Sequence, residues 1–257
     1  MQWSRSQLDV ASLRVVAAGW LVLATLCASG CSVATLGSAR PVDMGAHQVV
    51  IAQSLVMIAR GGDPYSAPQL EIGERYGITK NADVGLRLWL PMPGYVVDSR
   101  IALRRAKDGQ SGVDIAVQPG TSYLYVPGGD ANSSPLHVAT LSLPLLVGIP
   151  LGSGRQLVLA AKILDILAID TSDGVEPANI LTVAATAGVV WPITENFSLA
   201  PEIGLGAAVL GSLAGYGSNL GVSGTALQFS LGLLFGGKAA PPMKCVPMAD
   251  SATAQGG

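Results

Sequence analysis

The chain is short of charge. Asp, Glu, Lys and Arg make up 12% of its 257 residues, about half the share of an ordinary water-soluble domain, while mean hydropathy is +0.46. Such a surface is not built to face water throughout. The formal net charge of -2 lacks the basic footprint of a nucleic-acid binder. Histidine is confined to His47 and His137, which excludes a histidine-rich metal cluster and leaves no legible Ser-His-Asp grouping. Cysteine is scarce too, at positions 27, 31 and 245, so no disulfide framework is expected to organise the chain. Long apolar runs are also missing. Residues 157–167 and 180–191 fall short of the about 20 residues a spanning helix needs, but they suit tilted transmembrane strands of about 9 to 11.

Other chemical signatures fail on spacing. The glycines around Tyr216 do not form a phosphate loop, whose value depends on sitting between a strand and a helix. Asp170, Asp173 and Glu176 make an acidic loop without the EF-hand pattern. No catalytic residue, cofactor or metal site is expected, and no enzymatic activity.

What the sequence does contain begins at its N-terminus. Arg5 and Arg14 precede an apolar run over 15–26, and the small residues Ala28, Ser29 and Gly30 lead directly to Cys31. This layout is a secretory signal over residues 1–30. It resembles the lipobox of bacterial lipoproteins, with Ala28 where that family usually has leucine, and the resemblance implies that Cys31 is acylated and becomes the first mature residue. Residues 31–45 are small, polar or turn-forming and include Pro41, which predicts a periplasmic tether.

From there the chain divides into ten apolar segments separated by turn residues, near 46–59, 68–76, 82–90, 95–105, 113–125, 135–150, 155–168, 177–191, 197–208 and 225–235. Several alternate with the period of two that gives a strand two faces. Val84, Leu86, Leu88 and Leu90 oppose Asp83, Gly85 and Arg87; Leu227, Phe229, Leu231, Leu233 and Phe235 oppose Gln228, Ser230 and Gly232. The seventh segment places Asp165 on the apolar face unless its register shifts, and Pro144 predicts a bulge or bend in the sixth. Connections at 77–81, 106–112, 151–154 and 192–196 read as short turns. Those at 60–67, 126–134, 169–176 and 209–224 read as longer loops, with 91–94 as a short exception.

An apolar face backed by small or polar residues, with short turns alternating with long loops, is the pattern of a transmembrane barrel wall. Tyr76, Trp191, Phe197 and Phe235 fall near one end of the strands and Trp89, Tyr95, Tyr123 and Tyr125 near the other, as two interfacial girdles. The run Tyr76-Gly77-Ile78-Thr79-Lys80-Asn81 is echoed by Trp191-Pro192-Ile193-Thr194-Glu195-Asn196, one hairpin used twice, with the Asn suited to a left-handed backbone. This motif resembles the inner turns of bacterial outer-membrane β-barrel proteins, and the strand ending at Phe235 is similar to their terminal assembly signal. The resemblance implies an all-β, antiparallel up-and-down barrel of about ten strands over 46–236, a flexible tail over 237–257, and location in the outer membrane with its N-terminus lipid-anchored on the periplasmic side. Membrane lipid and the barrel-assembly machinery are the implied partners.

The barrel's polar face carries the candidate site. Glu71, Arg75, Asp83, Arg87, Asp98, Arg100, Arg104 and Asp114 lie on the less apolar side of the second to fifth segments, and Lys162 and Glu202 extend the set. Within a narrow lumen such charges must pair, since an unpaired buried charge is costly. The second half is lined by small residues, including Thr186, Gly204 and Gly206, which hints at internal space there. Ten strands enclose little room, so a structural or surface role or a narrow small-molecule passage is expected. The alternative is a lipid-tethered periplasmic barrel of lipocalin type with the reverse facing, Val84, Leu86 and Leu88 lining a cavity for an apolar ligand.

Overall fold

The computed structural model describes residues 34–60, 63–106, 112–127, 135–170, 177–212 and 225–237. Among them the regular structure is strand throughout: β1 (His47–Arg60), β2 (Asp63–Thr79), β3 (Ala82–Leu90), β4 (Gly94–Arg104), β5 (Asp114–Val117), β6 (Gly120–Val126), β7 (Leu136–Gly152), β8 (Arg155–Asp170), β9 (Ala178–Thr194), β10 (Phe197–Ser212) and β11 (Thr225–Gly236). Neighbouring strands pair antiparallel in chain order, and β1 pairs with both β2 and β11, which closes the sheet. β5 and β6 share one place between β4 and β7, so the structure is a closed antiparallel barrel of ten staves. Closure pairs every stave on both sides and leaves no free edge, the condition for a sheet in hydrocarbon.

The facing decides which medium surrounds the barrel. On β3, Leu86 and Leu88 are 50% and 52% exposed, while Asp83 and Arg87 are buried. Leu141, Ile163, Leu205 and Leu231 join the same outer apolar surface, whereas Gln228 and Ser230 face inward. In water each exposed leucine would forgo about 1.5–3 kcal/mol of burial; against lipid it loses nothing. The lipocalin alternative is overturned by this facing, because its apolar residues would line the inside.

Several local expectations shift. Pro144 sits in an unbroken register opposite Lys162, and the interruption falls instead on the neighbouring stave, which breaks between β5 and β6 at Gln118-Pro119. There the Gln118 amide donates to the Pro144 carbonyl at 2.9 Å and the Ser99 amide to the Pro119 carbonyl at 3.0 Å. Asp165 keeps its register between Leu141 and Leu181 and is exposed on the apolar outer surface. Trp89 is not a girdle residue: it is 4% exposed, inside the barrel, because it shares parity with Asp83 and Arg87. The two echoed hairpins do use the same turn, pairing Thr79 with Ala82 and Thr194 with Phe197. Their Asn81 and Asn196 are not left-handed, however; the Asn81 amide is held by Thr79 Oγ1 at 3.1 Å. Left-handed backbone appears instead at Gly152, Ser153 and Gly154 at the β7–β8 turn, where the two glycines carry no steric cost and Ser153 alone has a side chain in that region. The acidic residues Asp173 and Glu176, Cys31, Cys245 and the tail beyond Gly237 lie outside the described residues.

The interior has two zones. Toward the end that carries the β3–β4 connection, Trp89, Met92, Val96, Leu124, Val138, Leu164 and Ile166 pack into one apolar cluster. Toward the end of the short hairpins, the inner end, the lumen holds charges and a length of the chain itself.

Candidate lumen site

The charged zone is built by alternation on β2, β3 and β4. Inward positions on adjacent staves place carboxylates and guanidinium groups side by side: Arg75 is opposite Gly85, and Gly85 is opposite Asp98. A Cβ on Gly85 would lie 2.7 Å from Arg75 Nη1, so the missing side chain is what lets Arg75 cross toward Asp98. Arg75 donates through Nε and Nη2 to Asp83 Oδ1 at 3.0 and 2.5 Å, and through Nη1 to Asp98 Oδ1 at 2.5 Å. Arg87 donates to Glu71 Oε2 at 3.0 Å and Asp98 Oδ2 at 3.4 Å. Arg100 Nη1 stands 4.0 Å from Asp83 Oδ2, and its Nε donates to Gln118 Oε1 at 3.4 Å. Ions removed from water stay charged only when paired and hydrogen-bonded in this way.

Of the sequence-predicted lumen residues, Glu71, Arg75, Asp83, Arg87, Asp98 and Arg100 thus form one connected ladder. Asp114 is buried nearby, accepting from the Ala106 amide at 2.8 Å and from Gln156 Nε2 at 2.7 Å. Lys162 is buried across the lumen and Glu202 half-buried. Arg104 departs from the set and is exposed: a register shift between Ala102 and Arg104 inserts a residue against β5, and the faces exchange beyond it.

The predicted tether is also corrected where it is described. Residues 34–42 lie inside the barrel, with Thr35, Leu36, Ala39 and Val42 at 1–4% exposure. Leu36 packs with Val50, Ala52, Ala200 and Leu234, and Ala39 with Ala116, Leu146, Val158 and Ala160. Glu202 accepts from the amides of Thr35 and Leu36 at 2.6 and 3.0 Å, Gln156 from Ala39 at 3.0 Å, and Asp83 from Val42 at 2.7 Å. Arg40 reaches Asp114 at 3.4 Å, and Thr35 and Thr186 hydroxyls meet at 3.0 Å. The segment's small, polar composition suits a tether, yet small residues also fit a confined lumen. The signal that could have located it was the small-residue lining of the second half: a Cβ on Gly148 would come within 2.8 Å of Ala39 Cβ.

Beside Ala34 there is a cavity of about 40 Å³, bordered by Arg87, Trp89, Asp98, Thr140 and Lys162 among others. That is room for a few waters. Trp89 Nε1, Thr140 Oγ1 and Arg87 Nε are buried there without a protein hydrogen-bond partner, and water in the cavity can satisfy them. Among the described residues no group of three His, Cys, Asp or Glu is placed to hold a metal.

Aromatic rings mark both rims. At the inner end Phe197 stacks on Phe235 at 5.0 Å and the Arg155 guanidinium lies 4.6 Å from the Trp191 ring. His47 pairs with Glu74 and lies 4.7 Å from Tyr76. At the other end Tyr95, Tyr123, Tyr125 and His137 cluster, with Tyr123 Oη and His137 Nδ1 2.6 Å apart.

No family model matches the chain, and no curated protein sequence matches it significantly. Among solved structures it is similar to Neisserial surface protein A, at 12% identity and a TM-score of 0.42, over 74% of this chain and 98% of that one. It is also similar to the outer membrane protein OprG of Pseudomonas aeruginosa, at 12% identity and a TM-score of 0.36, over 78% and 99% of the two chains. A third is the outer membrane protease OmpT of Escherichia coli, at 9% identity and a TM-score of 0.39, over 75% and 96%. Likeness at this level carries no assignment of activity, and the case for a membrane barrel rests on this chain's own facing, girdles and closure.

Proposed function

We propose that this protein is an outer-membrane barrel with a closed lumen and a structural or surface role. The observation that carries it is an apolar outer wall around an interior that is occupied at both levels, by apolar packing at one and by ions and residues 34–42 at the other. A narrow small-molecule passage is the second reading, favoured by the unpartnered donors around the 40 Å³ cavity. Planar-bilayer recording on the refolded protein separates them. The structural reading expects a silent bilayer at neutral pH and moderate salt, and a steady unitary conductance in the wild type overturns it in favour of passage.

Acylation of Cys31 and recognition of β11 by barrel-assembly machinery belong to the same proposal. β11 supports the second, being amphipathic and carrying Phe235 next to its last residue. For the first, chain length sets a condition. Cys31 stands three residue steps before Ala34, a reach of about 10 Å, and Ala34 lies inside a closed wall beside a cavity of about 40 Å³. Anchoring in the inner leaflet therefore requires residues 34–42 to leave the lumen. Mass spectrometry of the mature N-terminus tests the modification, and membrane fractionation of Cys31→Ser tests its role. The barrel reading expects the variant to stay in the outer-membrane fraction with a compact, heat-modifiable band; a soluble periplasmic variant would sink it.

A further inference from the structure

Residues 34–42 are held as a ligand is held. Six of their main-chain groups are met by barrel-borne side chains: the amides of Thr35 and Leu36 by Glu202, of Ala39 by Gln156 and of Val42 by Asp83, and the carbonyls of Arg40 and Pro41 by Arg100 and Arg105. Among the described residues no strand ladder is involved; backbone bonds to the sheet begin just beyond the segment, where the Asp43 amide donates to the Gly237 carbonyl and Met44 bridges to Gly77. Peptides are commonly bound by adding a strand to a sheet edge, a route this closed wall does not offer. Instead β3, β4, β8 and β10, with Arg105 beyond β4, each contribute polar groups that converge on one extended backbone.

Two side chains set the register. Leu36 is 2% exposed in an apolar socket, and Arg40, four residues on, reaches Asp114. Between them Gly37, Ser38 and Ala39 are small; a Cβ on Gly37 would lie 3.3 Å from Arg100 Nη2. Leu36 itself is held at φ +47°, a conformation a leucine keeps only where its surroundings over-determine it. The socket, one of the two amide bonds that Glu202 accepts and the left-handed backbone coincide at Leu36.

We propose that the inner half of the lumen is a peptide-binding site, filled in cis by residues 34–42. Its ligand class is an extended peptide that carries a leucine, small residues after it and an arginine at the fourth place beyond. A peptide of this kind presented from the inner end competes with the cis segment. Because a tethered ligand acts at an effective concentration in the millimolar range, the competition is visible only when the cis segment is weakened. The apolar cluster around Trp89 remains in place when the segment leaves, so occupancy changes the inner half without opening a path across the barrel.

The test uses the full chain, refolded in detergent, with Leu36→Asp to weaken the cis segment and a fluorescent synthetic peptide of residues 34–42 as probe. Release of the segment is followed by a second pair, Thr35→Cys with Thr186→Cys, in a background whose native cysteines are serine. The two hydroxyl oxygens that the thiols replace are 3.0 Å apart when the segment is docked, so oxidation cross-links the docked state. Heat-modifiable mobility confirms that each variant is folded. The expected result is loss of the cross-link in Leu36→Asp and saturable peptide binding at least about tenfold tighter than to wild type. Adding Glu202→Gln should weaken that binding about tenfold again, the loss of a charge-assisted hydrogen-bond pair. A folded Leu36→Asp barrel that has lost the cross-link yet binds no peptide overturns the proposal. So does a cross-link that forms fully in Leu36→Asp, which would make the segment a fixed part of the wall.

Discussion

The two halves of the lumen solve one problem with opposite chemistry. Both must fill the space inside a closed wall. The outer half does it with Trp89, Val96, Leu124, Val138, Leu164 and Ile166, a small hydrophobic core enclosed by strands. The inner half does it with the ladder Glu71–Arg87–Asp98–Arg75–Asp83 and a strand-free piece of chain. An apolar core is indifferent to register and seals by contact alone. A ladder of ions holds only in one geometry, and its residual hydrogen-bonding capacity is what lets it read a peptide backbone. Selectivity therefore belongs to the inner half and the seal to the outer half.

The largest expected effect comes from breaking the ladder at its centre. Arg75→Ala takes the shortest ion pair from both Asp83 and Asp98, each 5% exposed or less, leaving Asp98 only Arg87 at 3.4 Å and Asp83 only Arg100 at 4.0 Å among the arginines, and removal of one partner from a buried ion pair costs about 3–5 kcal/mol. Chemical unfolding of the refolded barrel, followed by gel mobility, should show a midpoint far below wild type. An unchanged midpoint would mean that water already shares the site. Leu164→Ala makes the matching cut in the outer half. Truncating a buried leucine costs about 2–5 kcal/mol depending on how far the cavity collapses, and Leu164 already borders the existing cavity, so a loss near the lower end is expected. The same unfolding series measures it, and a loss larger than that of Arg75→Ala would reverse the ranking of the two halves.

How much of this was readable beforehand differs between wall and filling. The staves were legible because a strand in a wall with two unlike faces must alternate: β3 occupies Ala82–Leu90 as the pattern over 82–90 predicts. The inward placement of Glu71, Arg75, Asp83, Arg87, Asp98, Arg100 and Asp114 follows from the same parity. Parity also misleads where a bulge intervenes, as at Arg104, and at Trp89 it points to the interior while the aromatic ring suggests a girdle. The break at Gln118-Pro119 was invisible because Pro144, on the neighbouring stave, carried the stronger signal. Residues 34–42 were not legible as filling, because a segment that binds through its backbone needs no periodic pattern. Its only trace was the space left by small residues on other staves. The side chains that hold it, Glu202, Gln156 and Asp83, come from positions far apart in the chain, and only closure of the barrel brings them together.

The smallest effect is expected from converting part of the inner half into the outer. Glu71 and Arg87 face each other at 3.0 Å, and Arg87 is also 3.4 Å from Asp98. Replacing both members of a buried pair by apolar residues of similar volume is often neutral or stabilising, so Glu71→Leu with Arg87→Met should move the unfolding free energy by no more than about 1 kcal/mol. Asp98 keeps Arg75 at 2.5 Å and is not stranded. Arg87→Met alone takes from the buried Glu71 its 3.0 Å ion pair and should cost several times more, and the difference between single and double variants measures the coupling directly. If the double variant is as damaging as the single one, the pair itself stabilises the wall. If it is neutral, this pair contributes little net stability, in contrast to Asp83 and Arg100 further along the ladder, which bond the backbone of residues 34–42.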